Sequence, residues 1–425
     1  MQYFSTNNPN HIVDFKTATR QGQAVDGGLY FPKEIIKHRP DFINELSTLS
    51  KAEIAFHVIK PYVGNCIDDE ALLKICKHTI DFNIPLVPIN ANVSALELYH
   101  GPTLAFKDVG ARFMSSCLGH FLKNENKNTT VLVATSGDTG SAVANGFYNV
   151  PGVEVIILYP KNKVSHIQEL QLTTLGNNIT ALEVDGTFDD CQSLVKQAFT
   201  DVDINKHLSL TSANSINVAR WLPQQFYYYY AYQQYNSNPL VISVPSGNFG
   251  NICAGLLAKV AGLPIAKFVA ACNANQVFTH YLNDGIFKPQ NAIATISNAM
   301  DVGNPSNFVR IMHLFNNQYN LVKDAVVSYS ISDAATVETI HEVYQKHNYI
   351  LDPHGAVAYA ALMQYSNTGI ILETAHPIKF NNIVEQVIKA EIPMPTSVTS
   401  LLSQKKQAIA IGKTFELFKQ YLLAR

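Results

Sequence analysis

The sequence predicts an α/β protein with two open, twisted, mostly parallel sheets, each covered by helices on both faces. Three observations carry this. Strand and helix candidates alternate from about residue 129 onward. The strand candidates are continuous apolar runs such as TTVLVAT (129–135) rather than period-two patterns, as expected for strands buried on both faces. Two glycine-rich strand-to-helix turns, SGDTGS at 136–141 and SGNFGN at 246–251, fall in different halves of the chain, which argues for two such units.

Residues 1–78 read as an extended start followed by helices. Asp26-Gly27-Gly28 marks a tight turn. The runs DFINELSTLSKAEIAFHVIKPYV and DEALLKICKHTI carry apolar residues at three- and four-residue spacing, the pattern of amphipathic helices. Segment 79–235 holds strands at 129–135, 151–160 and 178–186 and a strand-like HLSLTSA. Helices fall around SHIQELQLTTLG and TFDDCQSLVKQAF. Segment 236–425 opens with a strand in NPLVISVPSGNFG (238–250), then helix NICAGLLAKVAG and strand KFVAACN. A helix near NPSNFVRIMHLF, a strand at 326–332, a helix near DAATVETIHEVYQKH and a strand at 367–375 complete it. The expected organisation is an N-terminal segment (1–78) packing on the larger unit, a smaller α/β unit (79–235) and a larger one (236–425).

A chain of 425 residues suffices for two or three domains of roughly 150 residues each. Its 47% hydrophobic and 15% charged residues are a globular composition, not a disordered one. The net charge of -2 leaves no basic excess to neutralise phosphates, so no nucleic-acid partner is expected. No run reaches the ~18 consecutive apolar residues of a membrane span. The start MQYFSTNNPNHIVDF lacks the basic-then-apolar pattern of a secretory signal. No charge occurs between Arg220 and Lys259, but Pro223, Pro239, Pro245 and Gly247 interrupt that interval; it reads as a buried helix, a loop and a buried strand. The six cysteines show no C-x-x-C spacing and read as small buried hydrophobes in a reducing compartment, hence a cytoplasmic expectation.

Several constellations could carry chemistry. In Ser246-Gly247-Asn248-Phe249-Gly250-Asn251 the glycines let the backbone turn tightly and approach a ligand. N–H groups then converge at a helix N-terminus, a natural phosphate cradle; the plain alternative is an ordinary strand-to-helix turn. Ser136-Gly137-Asp138-Thr139-Gly140-Ser141 has the same context, with helix capping as its alternative. Two such loops favour a ligand held in a cleft between domains. Lys107, among Leu104, Ala105, Phe106 and Val109, would be a nucleophilic neutral amine if desolvated; with Asp108 and Arg112 nearby, a surface lysine in a charged turn is the commoner case. Asn214, Asn217 and Arg220 in SANSINVAR suit either substrate hydrogen bonding or turns and caps, and His376 reads as structural. Zinc spacing and the G-x-S-x-G elbow are missing, and no metal is expected. Tyr227 to Tyr230 read as a core or domain seam rather than a stacking platform.

At QGQAVDGGLYFP, GPTLAFKDVGARFM, ATSGDTGSA, TSANSIN-x-AR, PSGNFGNICAG, NAMDVGNPSNF, LDPHGAVAY and ETAHPIKF the chain resembles the threonine synthases of the longer microbial and fungal type. These belong to the fold-type-II pyridoxal-phosphate enzymes. The resemblance covers nearly the whole chain, and the joint order of the motifs makes it specific. It implies that the cofactor is pyridoxal 5'-phosphate, lying in the interdomain cleft. Lys107 would then bond it covalently, Gly247, Asn248, Phe249, Gly250 and Asn251 would cradle its phosphate, and Thr374 would partner the pyridine nitrogen. Asp138, where many fold-type-II relatives carry Asn, is counted with the cofactor contacts. Ser136, Gly137 and Thr139 match the loop facing the substrate carboxylate. Thr103, Arg112, Asn214, Asn217 and Arg220 are candidates for substrate binding, the two arginines for its phosphate or for structural ion pairs. The implied reaction turns O-phospho-L-homoserine and water into L-threonine and phosphate. Rival expectations are a threonine or serine dehydratase of the same fold, a threonine-synthase-like phospholyase, and a non-enzymatic metabolite-binding protein that would not need Lys107.

Overall fold

The structure is a computed structural model and describes residues 1–425 other than 124, 126, 127, 236 and 238. The predicted boundary at 236 and the predicted strand start at 238 lie outside the described residues.

The chain opens with β1 (Gln2–Ser5), β2 (Asn8–Asp14) and β3 (Tyr30–Pro32), a small antiparallel sheet in which β1 is central. The Asp26 turn is closed by its own carboxylate, which accepts from Ser5 Oγ (2.7 Å) and from the Gly28 N–H (2.9 Å). Helices Lys51–Val63 and Asp69–Thr79 follow, the first started by a Ser50/Glu53 capping box and the second capped by Asp68. This segment touches both units. Arg310 donates to the Tyr30 carbonyl (3.1 Å) from the second, and Asn217 donates to the Thr19 carbonyl (2.8 Å) from the first.

Next come β4 (Leu86–Pro88) and β5 (Val93–Glu97), then β6 (Thr129–Ala134), β7 (Val153–Pro160), β8 (Ile179–Val184) and β9 (Ser209–Ser212). β10 (Val241–Pro245), β11 (Lys267–Cys272), β12 (Val326–Ser330), β13 (Gly369–Glu373) and β14 (Ile409–Ile411) complete the set. They form two sheets in the orders β12-β11-β10-β13-β5-β4 and β14-β8-β7-β6-β9. Every pairing is parallel except β4 with β5. β6 and β13 are buried at every residue, as strands covered on both faces should be.

The sheets cut across the boundaries drawn from sequence. β4 and β5, inside 79–235, belong to the sheet of the larger unit, and β14, inside 236–425, pairs with β8 of the smaller one. Short strands at crossover points carry too few residues to show which sheet they join. The β5–β13 pairing matters for the site. It sets Glu97 opposite Glu373, so the loop that follows β5 leaves beside the end of β13.

The tyrosine-rich segment forms helix Phe226–Gln234, and Tyr227 to Tyr230 are at most 1% exposed. It is a seam as well as core. Tyr227 donates to the Phe106 carbonyl, Tyr228 to the carbonyl and Oδ1 of Asn251 (both 2.9 Å), and Tyr230 to the Lys51 carbonyl (2.8 Å). One helix thus braces the lysine loop, the second glycine loop and the N-terminal segment. Among the described residues no helix is long and apolar enough to cross a membrane.

Candidate active site

Three chain segments meet where β5, β6 and β13 end. The loop Gly101–Phe106 leads into helix Lys107–Leu122. Leu104 sits in left-handed conformation (φ 58°), a strained state for a branched residue. It is held because the loop pairs with the segment after β13. The Phe106 N–H donates to the Thr374 carbonyl (2.9 Å), the His376 N–H to the Leu104 carbonyl (3.0 Å), and Ala105 bridges Ala375. Thr374 is therefore fixed one residue from Lys107. Asp108 turns inward and anchors the loop, accepting from the Thr103 N–H (2.9 Å) and from Thr103 Oγ1 (2.5 Å).

Asp138 opens helix Asp138–Gly146 and is 5% exposed. Its Oδ2 lies 3.6 Å from Lys107 Nζ and its Oδ1 2.6 Å from Lys379 Nζ. Gln168 Nε2 also donates to Oδ1 (2.9 Å). Gly137 has φ 138°, and a Cβ there would strike the Gln168 side chain, so glycine is required twice over. Thr135 Oγ1 accepts from the N–H groups of Gly137 (3.0 Å) and Gly140 (2.8 Å). That fixes the loop and leaves the Ser136 and Thr139 side chains partly exposed.

The electrostatics favour a reactive lysine. The Lys107 side chain is 19% exposed. Burial pushes its proton affinity down, Asp138 pushes it back up, and Lys379 and Arg220 push with burial; the net direction is down. Burial would raise Asp138, but Lys379 and Lys107 together hold its carboxyl well below the usual range. A lowered lysine holds a larger fraction of neutral, nucleophilic amine.

The second glycine loop joins β10 to helix Gly250–Val260. Phe249 caps that helix from left-handed conformation (φ 60°), and the Cys253 N–H closes the first turn on its carbonyl (3.0 Å). The N–H groups at the start of a helix have no intrahelical partner and suit an anion. A Cβ on Gly247 would lie 2.6 Å from Met300 Cα and 3.0 Å from the Ala299 oxygen, so only glycine lets the loop lie against that turn. Asn248 donates to Ser215 Oγ (2.7 Å) and accepts from the Ser306 N–H (2.6 Å). Asn251 Nδ2 is buried with no partner among the described residues.

The other residues expected from sequence divide between the surroundings of the site and positions away from it. Arg112 is five residues beyond Lys107, about 140° round the helix. It points away to Asp81 (2.6 Å) and the His78 carbonyl (Nε, 3.0 Å), so it is not brought to the cleft. Asn217 is fully buried, capping helix Val218–Trp221 and bonding the Thr19 and Ser212 carbonyls. Thr103 is 2% exposed, with N–H and hydroxyl both bonded to Asp108. Asn214 is partly exposed, its Oδ1 without a partner among the described residues. Arg220 is 3% exposed and donates to the Ala213 carbonyl, with Nε unpartnered among the described residues.

Sequence reasoning overlooked two buried groups. Lys379 is 0% exposed and donates to Asp138 and to the Thr103 carbonyl (2.9 Å). The only clue was a lysine lodged between Ile378 and Phe380, both buried. Glu373, just before Thr374, is also 0% exposed. Burial and then the Asp352 charge push its carboxyl well up.

Pyridoxal phosphate fits these residues. It needs an amine able to shed its proton, a cradle of backbone N–H groups, and a partner for its ring nitrogen. The frame of two parallel sheets with a site at the strand ends is that of a fold-type-II pyridoxal-phosphate enzyme. Comparison with known proteins agrees. Sequence profiles match for "Pyridoxal-phosphate dependent enzyme" over residues 82–371, "Threonine synthase N terminus" over 2–80 and "Threonine synthase, C-terminal" over 355–422. The chain belongs to the threonine synthase family, and is thus a pyridoxal-phosphate-dependent lyase of threonine biosynthesis. The threonine synthase of Buchnera aphidicola (subsp. Acyrthosiphon pisum) is 40% identical, with all of both chains aligned. The crystal structure of Escherichia coli threonine synthase superposes with TM-score 0.93 at 38% identity, covering 100% of both chains. The pyridoxal-phosphate-bound threonine synthase of Brucella melitensis gives 0.93 at 31%, covering 100% of this chain and 99% of that one.

Proposed function

We propose that the chain converts O-phospho-L-homoserine and water to L-threonine and phosphate, with Lys107 as the residue that bonds the cofactor and moves the protons. The partly buried Lys107 amine, 3.6 Å from Asp138 and one residue from Thr374's backbone anchor, carries the reading. When bound, pyridoxal phosphate supplies the electron sink for carbanions on the substrate.

The chain's residues do the rest. The Gly247–Asn251 turn holds the cofactor phosphate through its N–H groups, and the Thr374 hydroxyl meets the ring nitrogen without a charge that would force it to stay protonated. Ser136, Gly137 and Thr139 receive the substrate carboxylate, and Asn214, whose Oδ1 has no partner among the described residues, is a further substrate ligand. Arg220 adds positive field for the substrate phosphate from its buried position. Lys107 serves as base and acid for the protons lost at Cα and Cβ and returned at Cγ. The two units shut out bulk water while phosphate leaves Cγ and water adds at Cβ. We also infer a cytoplasmic location, supported by six cysteines that are all free thiols.

The test is simultaneous assay of phosphate and threonine from O-phosphohomoserine. The reading expects equal amounts of both. Phosphate with a 2-oxo acid in place of threonine refutes it in favour of a phospholyase.

A further inference from the structure

Lys379 lies in the short helical turn Pro377–Phe380, every residue of which is buried. A fully buried ammonium is expensive unless it is paired and hydrogen-bonded. Here it donates to Asp138 Oδ1 and to the Thr103 carbonyl, which also accepts from Gln171 Nε2 (3.1 Å). Gln168 takes the remaining approach to Oδ1. Only Oδ2 is left for Lys107, at 3.6 Å, well beyond the roughly 2.7–2.9 Å of a charge-assisted hydrogen bond. We propose that Lys379 is a positioning residue that acts on Lys107 both through Asp138 and by its own charge: it occupies that carboxylate, so that Lys107 is never locked into a tight ion pair, and its repulsion across the shared carboxylate helps keep the amine available.

The charges around Lys107 support this. Asp138 faces it from the Ser136 loop, Lys379 from the segment after β13 and Arg220 from beneath the helix, and Asp108 is its neighbour in the chain. Asp108 is taken up by Thr103. Lys379 and Asp138 form a neutral pair, so Lys107 meets little net counter-charge. Burial then works on an amine that Asp138, shared with Lys379, holds protonated only weakly. Without Lys379, the full charge of Asp138 would fall to Lys107.

The inference rests on Lys107 as the cofactor-bonding residue. Capture of pyridoxal phosphate joins the amine nitrogen to the aldehyde carbon with loss of water, and only the neutral amine has the electron pair to do so. The experiment mixes the full-length chain with pyridoxal phosphate across a pH series, follows growth of the visible absorption band, and locates the attachment by borohydride reduction and peptide mass. Lys379→Met is expected to raise the midpoint of the rate profile by about one unit, slowing capture about tenfold at pH below both midpoints. Lys379→Arg, which keeps a cation on Asp138, is expected to restore it. Asp138→Asn is expected to lower the midpoint. Asp138→Asn/Lys379→Met should lie above Asp138→Asn alone, because repulsion by Lys379 is gone. That second comparison leaves no carboxylate unpaired and decides the matter if Lys379→Met fails to fold. A Lys379→Met profile that coincides with wild type, or a double variant that coincides with Asp138→Asn, overturns the inference. Attachment away from Lys107 overturns the reading it rests on; attachment at Lys107 with unmoved profiles overturns this inference alone.

Discussion

A single methyl group on Gly247 probes the cofactor cradle. The alanine Cβ would stand 2.6 Å from Met300 Cα, 3.0 Å from the Ala299 oxygen and 3.2 Å from the Met300 carbonyl carbon. Carbon pairs prefer about 3.5–4.0 Å, so one backbone must retreat by about 1 Å. No rotamer change relieves a clash with main chain. The Ser297–Met300 turn is not free to move either. Its ends are joined by the Met300 N–H to the Ser297 carbonyl (2.9 Å), and the Ala299 N–H donates to His354 Nε2 (3.3 Å). His354 is itself clamped to buried Asp352 (2.5 Å). Overpacking of this kind costs about 1–3 kcal/mol. If the cradle rather than the turn yields, that cost appears in cofactor affinity as a loss of about 5- to 150-fold. Gly119→Ala is the control, since its Cβ would meet only Val150 Cγ1, at 3.3 Å. Equilibrium titration of the cofactor-depleted chain with pyridoxal phosphate reads the affinity, and thermal unfolding reads any share taken by the fold. Gly247→Ala with wild-type affinity and an unchanged Tm would refute the assignment of this turn as the cradle.

Three further outcomes are expected. Arg112→Gln should leave KM for O-phosphohomoserine within about twofold while lowering unfolding free energy by about 1 kcal/mol, a typical hydrogen-bond contribution; a tenfold rise in KM would return Arg112 to the site. His38 packs on Phe42 and Tyr229 (4.8 and 5.5 Å between ring centroids), and burial, helped by His57, lowers it to about 4. Below about pH 6.5 the unfolded chain binds a proton that the fold refuses, so stability falls as pH drops towards 4. His38→Leu should flatten urea-unfolding profiles there by roughly 2 kcal/mol, a figure reduced for its partial exposure. Glu373 is raised, so wild type loses stability as pH rises above the unfolded value of about 4.3, where the unfolded chain ionises and the fold does not. Glu373→Gln lacks that contribution, and its unfolding free energy should fall less steeply as pH rises above about 4.3.

The long buried strands were legible in the sequence because parallel strands covered on both faces must be apolar throughout. The runs at 129–135, 151–160 and 367–375 stand as β6, β7 and β13 within a residue or two at each end. Strands β4, β5 and β14 were not legible, being three to five residues long, and β5 and β14 pair with strands far along the chain. The glycine loops were visible as punctuation between strand and helix. The partial burial of Lys107 was not, because Asp108 and Arg112 beside it look like a surface turn. Only the fold shows that Asp108 faces inward to Thr103 while Arg112 faces outward to Asp81. Lys379 is the sharpest omission. Its role depends on a carboxylate that precedes it by more than two hundred residues, and no local pattern reports such a contact.

The most direct test of the central claim is the site of covalent attachment. Protein loaded with pyridoxal phosphate is reduced with borohydride, digested, and its modified peptide identified by mass. The account expects the pyridoxyl group on Lys107 alone, with no fixed cofactor in Lys107→Ala. A modified Lys379, or an equally labelled Lys107→Ala variant, would contradict it.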